Sequence, residues 1–354
     1  MIIHNDCVYF KGYAPCDIHK VNNDIKCENC NYFEKINTKI LIIKLEAIGD
    51  IIRTTPILHR LNFLYPNSKI YWLTNYPEVL PEEVDYKLKY NFNNIEVVRN
   101  IEFDLVINLD KDFPACALTT ELKSKVKKGF CLINGLLSPI DKFAEHKYLT
   151  GISDSISKEN KKHYIQEIFE ISNIGEFNNE EYILNNIYNS VWNVDKTKKV
   201  IGLNTGCGDR WKSREWTITN WINLSKNLLK KGYEVVLLGG EKEDKLNKYI
   251  SYNSNAKYFY PVPIDTFIDL INQCDLIVTQ VTLALHIAIG LKKRIVLMNN
   301  IFNPNEFYLY GLGEIIEPKE KCECYYLQEC KKEESCMNSI TPDMIIESIE
   351  RQLK

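Results

Sequence analysis

Ile40-Leu-Ile-Ile-Lys-Leu-Glu-Ala-Ile-Gly-Asp-Ile-Ile-Arg-Thr-Thr-Pro56 is the stretch whose reading decides the fold. Ile40 to Ile43 is an apolar run, rich in β-branched residues, of the length of a buried strand. The chain then turns at Gly49-Asp50, and Ile51, Ile52, Ile57, Leu58 and Leu61 follow at a spacing that suits one face of a helix. Strand, glycine turn and helix make the first half of a mononucleotide-binding βα unit. A dinucleotide fingerprint needs three glycines and this turn has one, so that reading is excluded. What remains is a carboxylate, Asp50, at a helix start. It can cap the helix, a role worth about 0.5–2 kcal/mol, or face a ligand, and the stretch leaves both open.

Outward from this unit the alternation continues. Residues 69–74 read as a strand after the turn Tyr65-Pro-Asn-Ser, and residues 95–98 and 105–109 read as two more. Asp110 and Asp112 follow the last of these, where ligand groups collect in open α/β sheets, although solvated loop acids are commoner. Residues 163–171 read as an amphipathic helix. Residues 173–199 are polar, broken by Gly175 and rich in asparagine (Asn178, Asn179, Asn185, Asn186, Asn189, Asn193), which places the interdomain crossing there. The second half restarts with strands at 199–204, 233–238, near Tyr258, at 275–279 and, last, at 294–298, with helices at 219–231, 264–274 and 282–291 between them. The expected architecture is α/β, with two doubly wound domains facing one another. Its parts are a cysteine-rich segment 1–38, a domain 39–175, a domain 195–316, and a cysteine-rich loop with a C-terminal helix at 317–354.

With 354 residues, 45% of them hydrophobic, the chain can bury two cores of ordinary size. Lys+Arg 44 against Asp+Glu 47 gives a formal charge of -3, too balanced for a nucleic-acid footprint. The first residues lack the basic and apolar regions of a signal peptide, and no apolar run is long enough to span a bilayer. A soluble, cytoplasmic protein is expected, with peripheral membrane association and homo-oligomerisation left open.

Three strand-to-helix passages of the second half carry chemistry. Thr205-Gly-Cys-Gly208 precedes Arg210, Trp211, Lys212, Arg214 and Trp216. Its glycines let backbone N–H groups approach an anion, and the threonine and cations complete a diphosphate cradle. Gly239-Gly240-Glu241-Lys242-Glu243 places acids to accept from ribose hydroxyls. Thr282 opens a helix, and His286, four residues on, shares its face.

These motifs, in this order, resemble those of the ADP-heptose glycosyltransferases, glycosyltransferase family 9. Residues 41–56 are similar to the family's N-terminal signature, and Asn204-Thr-Gly-Cys-Gly-Asp-Arg-Trp, Leu-Leu-Gly-Gly-Glu and Thr-Leu-Ala-Leu-His extend the likeness from about 39 to 315. The resemblance implies a GT-B fold with the acceptor on the N-terminal domain and the donor on the C-terminal one. It implies an inverting transfer of heptose, or a related sugar, from an ADP-sugar to a saccharide of the lipopolysaccharide core or to Ser/Thr of a surface protein, with no metal at the reaction site. Asp50 then falls on the base position. Thr205, Gly206, Arg210, Lys212 and Arg214 fall on the donor-phosphate loop, Glu241 or Glu243 on the ribose, and Thr282 and His286 on the helix-terminus contacts. The sequence departs from the pattern at Gln280-Val281, where family members carry an acid.

Eight of the twelve cysteines lie in two sets, Cys7, Cys16, Cys27 and Cys30, and Cys322, Cys324, Cys330 and Cys336. In a reducing compartment such sets read as ligands for a structural zinc or iron, at one shared site or two, or as reduced structural thiols. Some autotransporter heptosyltransferases of the family carry an iron-binding cysteine finger, which favours metal. The competing functions are a non-catalytic nucleotide-sugar-binding protein and a metal-sensing module on an α/β scaffold.

Overall fold

The structure, a computed structural model, describes residues 2–185, 190–320 and 322–354. Asn186 and Asn189 of the asparagine-rich crossing thus lie outside the described residues. The chain divides into two compact units. The first contains Met1–Glu46, Thr55–Leu149 and Gln166–Glu180; the second contains Ala47–Thr54, Thr150–Ile165 and Glu181–Lys354.

The first unit holds a sheet of β1 (Thr38–Ile43), β2 (Ser68–Thr74), β3 (Tyr86–Lys89), β4 (Phe103–Asn108), β5 (Ser124–Ile133) and β6 (Leu136–Pro139), in the order β3-β2-β1-β4-β5-β6. All pairs are parallel except β5 with β6. Ile40 of β1 pairs with Ile70 on one side and Leu105 on the other, and Ile40 to Ile43 are fully buried. A parallel strand covered on both faces needs such a continuous apolar run. At the carboxyl ends of β1 and β4, the buried Lys44 ammonium pairs with Asp110, whose second oxygen accepts the Leu45 N–H. Asp112 caps the helix Phe113–Glu121 by accepting from Ala115 N at 2.9 Å. Both strand-end acids are therefore engaged in holding the fold. In the N-terminal segment the helix Asp17–Val21 and the turn Cys27–Asn29 accompany a lone bridge between Cys7 and Lys35.

The second unit holds β7 (Val200–Asn204), β8 (Glu234–Leu238), β9 (Lys257–Tyr258), β10 (Leu276–Gln280), β11 (Arg294–Met298) and β12 (Gly313–Ile316), all parallel, in the order β12-β11-β10-β7-β8-β9. The helix Ile218–Lys230, capped by Thr217, buries Trp221, Leu224 and Leu228 on one face of this sheet. The C-terminal helix Pro342–Gln352 adds Ile345, Ile346 and Ile349 to the same core.

Three expectations change. Residues 95–98, read as a strand, belong to the helix Phe92–Arg99, because Asn91 caps it by accepting from Asn94 N and only Val98 of its apolar residues is fully buried. The long helix expected after Gly49 is two, Ile48–Ile52 and Ile57–Leu64, since Pro56 disfavours helical geometry at the residue before it. β11 is not the last strand: Gly313 lies flat against β11, where a Cβ would stand 1.9 Å from the Ile295 carbonyl oxygen, so the short Gly-Glu-Ile-Ile strand can pair there.

Candidate active site

In the second sheet the strand order reverses between β10 and β7, and ligands of open α/β sheets bind outside the carboxyl ends at such a reversal. Asn204, the last residue of β7, gathers that crevice. Its Nδ2 donates to the Gly206 carbonyl at 3.0 Å and to the hydroxyls of Thr279 and Thr282 at 3.2 Å each. Thr282 is the N-cap of the helix Leu283–Gly290, and its hydroxyl lies 3.0 Å from that of Thr279. No side chain caps this helix; in its first turn Leu285 N donates to the Thr282 carbonyl at 3.2 Å.

The loop after β7 is held from both sides. Thr205 is buried and donates to Asn247 Oδ1 at 2.6 Å. Gly206 packs on the Glu243 carboxylate: a Cβ there would lie 2.3 Å from Glu243 Oε1, so a larger residue would have to displace that side chain. Glu243 Oε2 in turn accepts from Gly240 N at 2.9 Å. Glu241, Arg210 and Lys212 are exposed, with the Arg210 guanidinium 4.9 Å over the Trp211 ring. Arg214 is different. It is 5% exposed, and its guanidinium donates to the carbonyls of Val281 and Cys207. Burial pulls it down to about 10, still far above neutrality. Expected among the phosphate contacts, Arg214 ties the loop after β7 to the loop after β10 through these two carbonyls. Gln280, at the position of the missing family acid, completes the tie by donating from Nε2 to the Arg214 carbonyl at 2.9 Å.

Asp50 lies in the first turn of Ile48–Ile52. The capping alternative fails, because Ala47 occupies the N-cap and no side chain bonds there. Asp50 forms an ion pair with Arg53, one turn on, at 2.8 Å. Arg53 lies 3.4 Å over the Tyr164 ring. Burial would lower its affinity for a proton, but Asp50, Tyr164, Tyr182 and Glu306 together raise it, so it stays charged. The Ile48–Ile52 helix packs on Leu283–Gly290, which is why these residues group with the second unit. Gly49 permits the approach: a Cβ there would stand 2.6 Å from His286 Cδ2. His286 is buried, 3.5 Å from the Tyr182 hydroxyl, and burial pushes it down to about 3, so the ring is neutral. His286 thus packs beneath the turn that carries Asp50. Asn204, Asn247, Arg53 and Tyr182 were not singled out in the sequence; Asn204 alone carried a signal there, as the last residue of a predicted strand.

All twelve cysteines are thiols. Cys324 Sγ lies 3.6 Å from Cys330 Sγ, and burial, with Cys336 nearby, pushes the Cys322 thiol up to about 12. Cys322 Sγ accepts from Cys324 N and Cys324 Sγ from Lys331 N, both at 3.3 Å. Among the described residues no three His, Cys, Asp or Glu side chains are grouped as a ready ligand set, so the expected tetrads of Cys322, Cys324, Cys330 and Cys336 and of Cys7, Cys16, Cys27 and Cys30 are not seen assembled.

Two six-stranded α/β sheets, parallel but for one edge pair, are the GT-B fold, as in the E. coli heptosyltransferases. The model of glycosyltransferase family 9 (heptosyltransferase) matches residues 93–311, more than half of the chain, and the protein belongs to that family. Its structure is similar to that of a family 9 glycosyl transferase from Veillonella parvula, with a TM-score of 0.66 and 16% identity over 90% of this chain and 97% of that one. It is similar to the ADP-heptose lipopolysaccharide heptosyltransferase II of E. coli, with a TM-score of 0.63 and 16% identity over 89% and 98%. The iron-containing dodecameric glycosyltransferase TibC of enterotoxigenic E. coli is similar at a TM-score of 0.57 and 11% identity, over 90% and 77%. No curated protein matches the chain by sequence. Among the described residues no helix is long and apolar enough to cross a membrane.

Proposed function

We propose that this protein transfers heptose from ADP-heptose to a hydroxyl acceptor with inversion at the anomeric carbon. The observation that carries the reading is the Asp50–Arg53 pair, held on a helix that packs against Leu283–Gly290, whose amino end lies at the strand-end crevice. Asp50 takes the proton of the acceptor hydroxyl as its oxygen attacks the anomeric carbon; the bond from that carbon to the diphosphate breaks on the opposite face, and ADP leaves. The diphosphate charge is met by backbone N–H groups at Gly206 and after Thr282, and by Arg210 and Lys212. Glu241 or Glu243 receives the ribose hydroxyls. The chemistry uses side chains and backbone dipoles, without a metal.

Two acceptors fit this chemistry, a lipopolysaccharide core saccharide and Ser/Thr of a surface protein. A donor panel that follows ADP or UDP release, with a core saccharide or an unfolded serine-rich protein, separates them, and donor binding without release in any arm identifies a non-catalytic binding protein. Asp50→Ala abolishes turnover and leaves ADP binding nearly intact; near-normal turnover removes Asp50 from the base role.

The carboxy-terminal thiols are suited to a structural zinc or iron, as in the cysteine-finger branch. The 3.6 Å between Cys324 and Cys330 sulfurs matches the edge of a tetrahedron with metal–sulfur bonds of about 2.3 Å. Cys322 and Cys336 would supply the other two ligands after a local closure, and the N-terminal cysteines are the second candidate set. Elemental analysis of protein purified without chelator tests this, and the lack of any stoichiometric metal rejects it.

A further inference from the structure

The cysteine-bearing loop of residues 322–336 is bonded directly to the donor loop. Ser213 sits at the junction, 4% exposed, with every polar atom engaged there. Its hydroxyl donates to the Leu327 carbonyl at 2.6 Å and its N–H to the Gln328 carbonyl at 2.9 Å. Its own carbonyl accepts from Asn300 Nδ2 at 2.9 Å, and the same Nδ2 lies 3.5 Å from Cys336 Sγ. Aromatic rings seal the junction: Trp211 meets Phe302 and Tyr326 edge-on at 5.8 and 6.1 Å, and the Arg214 guanidinium lies 5.2 Å over Phe302.

Before the short turn Cys336–Ser339 the 322–336 loop has no helix or strand. Leu327 is joined to the cysteines through the backbone, its N–H donating to the Cys324 carbonyl at 2.9 Å, while Tyr326 N donates to the Ile301 carbonyl at 3.2 Å; Cys324 itself is fixed by its contact with Cys330 and by the N–H groups of Cys324 and Lys331 on sulfur. Ser213 lies between Lys212, a proposed phosphate contact, and Arg214, the tie to β10. A shift of residues 327–328 is thus passed to the donor loop through two hydrogen bonds, one from the Ser213 N–H and one from its short hydroxyl side chain.

We propose that the thiol loop is the template on which the donor loop is set, with Ser213 and Asn300 as positioning residues, so that donor affinity depends on the integrity of a cysteine cluster that does not itself touch the donor. The inference rests on the nucleotide-donor reading of the 205–216 loop.

The test uses the full chain and two readouts, ADP affinity by calorimetry and amide hydrogen exchange across residues 205–216. Losing one buried hydrogen bond of ordinary strength in Ser213→Ala weakens ADP binding by about threefold to tenfold. It also speeds exchange in 205–216 while β7 and β8 exchange as before. Ser213→Thr keeps the hydroxyl and restores both values. Cys324→Ser, outside the donor loop, gives the same pair of changes, and it serves alone if Ser213→Ala does not fold. Unchanged exchange and affinity in these variants overturns the proposal. Should the wild-type chain fail to bind ADP, the donor reading falls, and the exchange data still decide the template: faster exchange upholds it and unchanged exchange rejects it.

Discussion

Gly49→Ala tests the packing that carries Asp50. The added Cβ would stand 2.6 Å from His286 Cδ2, about 1 Å inside the normal carbon–carbon contact of ~3.6 Å. His286 is buried and backed by Tyr182, itself 9% exposed, so the ring has little room to retreat. Overpacking of this kind costs about 1–3 kcal/mol. Alanine returns up to about 1 kcal/mol through its better helix propensity, and with the ring unable to retreat the cost lies in the upper part of that range, which leaves a net loss of up to about 2 kcal/mol. The remaining escape is a shift of the Ile48–Ile52 helix, and a displacement of about 1 Å at a reacting group lowers turnover by as much as about 100-fold. Urea unfolding reads the first effect and ADP release the second. In the His286→Ala background the obstructing carbon is gone, so Gly49→Ala there becomes neutral or stabilising. A Gly49→Ala protein as stable as wild type, or the same loss in both backgrounds, would refute the steric account.

Acid should destabilise the fold through His286. Its folded-state value of about 3 lies below the ordinary 6.5 because burial penalises the cation, so the unfolded chain binds the proton first and stability falls as pH drops below about 6.5. At pH 5 the cost is about 2 kcal/mol; His163, pushed down to about 4 by burial, acts in the same sense. Urea midpoints between pH 5 and 7.5 measure the slope, and an unchanged slope in His286→Gln excludes this residue as its source. Asp110→Ala strips the buried Lys44 ammonium of its counter-charge and should cost about 3–5 kcal/mol. A loss below about 1 kcal/mol would mean that water reaches the pair.

Much of the fold was legible because parallel strands buried on both faces leave long apolar runs. Ile40 to Ile43 form a strand as read, and the strands read at 233–238 and 275–279 are found at Glu234–Leu238 and Leu276–Gln280, for that reason. The reading failed where a local signal outweighed composition, as at Asn91, whose cap turns Ile95 to Val98 into a helix. It failed again at β12, whose residues are only half-buried and carry no apolar run to notice.

The sequence by itself determined two nucleotide-type sheets, the three loops at their strand ends and the family to which they belong, because each rests on local pattern. Only the tertiary structure decided what individual side chains do. Arg214 looks like a phosphate ligand in one dimension, yet its guanidinium meets two carbonyls, one of them 67 residues away at Val281. Asp50 looks like a helix cap, yet Ala47 holds that position and the carboxylate pairs with Arg53. His286, expected at the helix-terminus contacts, packs beneath Gly49, a contact the sequence does not show. For Arg214 and His286 the outcome turns on burial and on partners distant in sequence, and for Asp50 on where the helix begins in the folded chain; these set the charge and direction of a polar side chain and are not written in residue type alone.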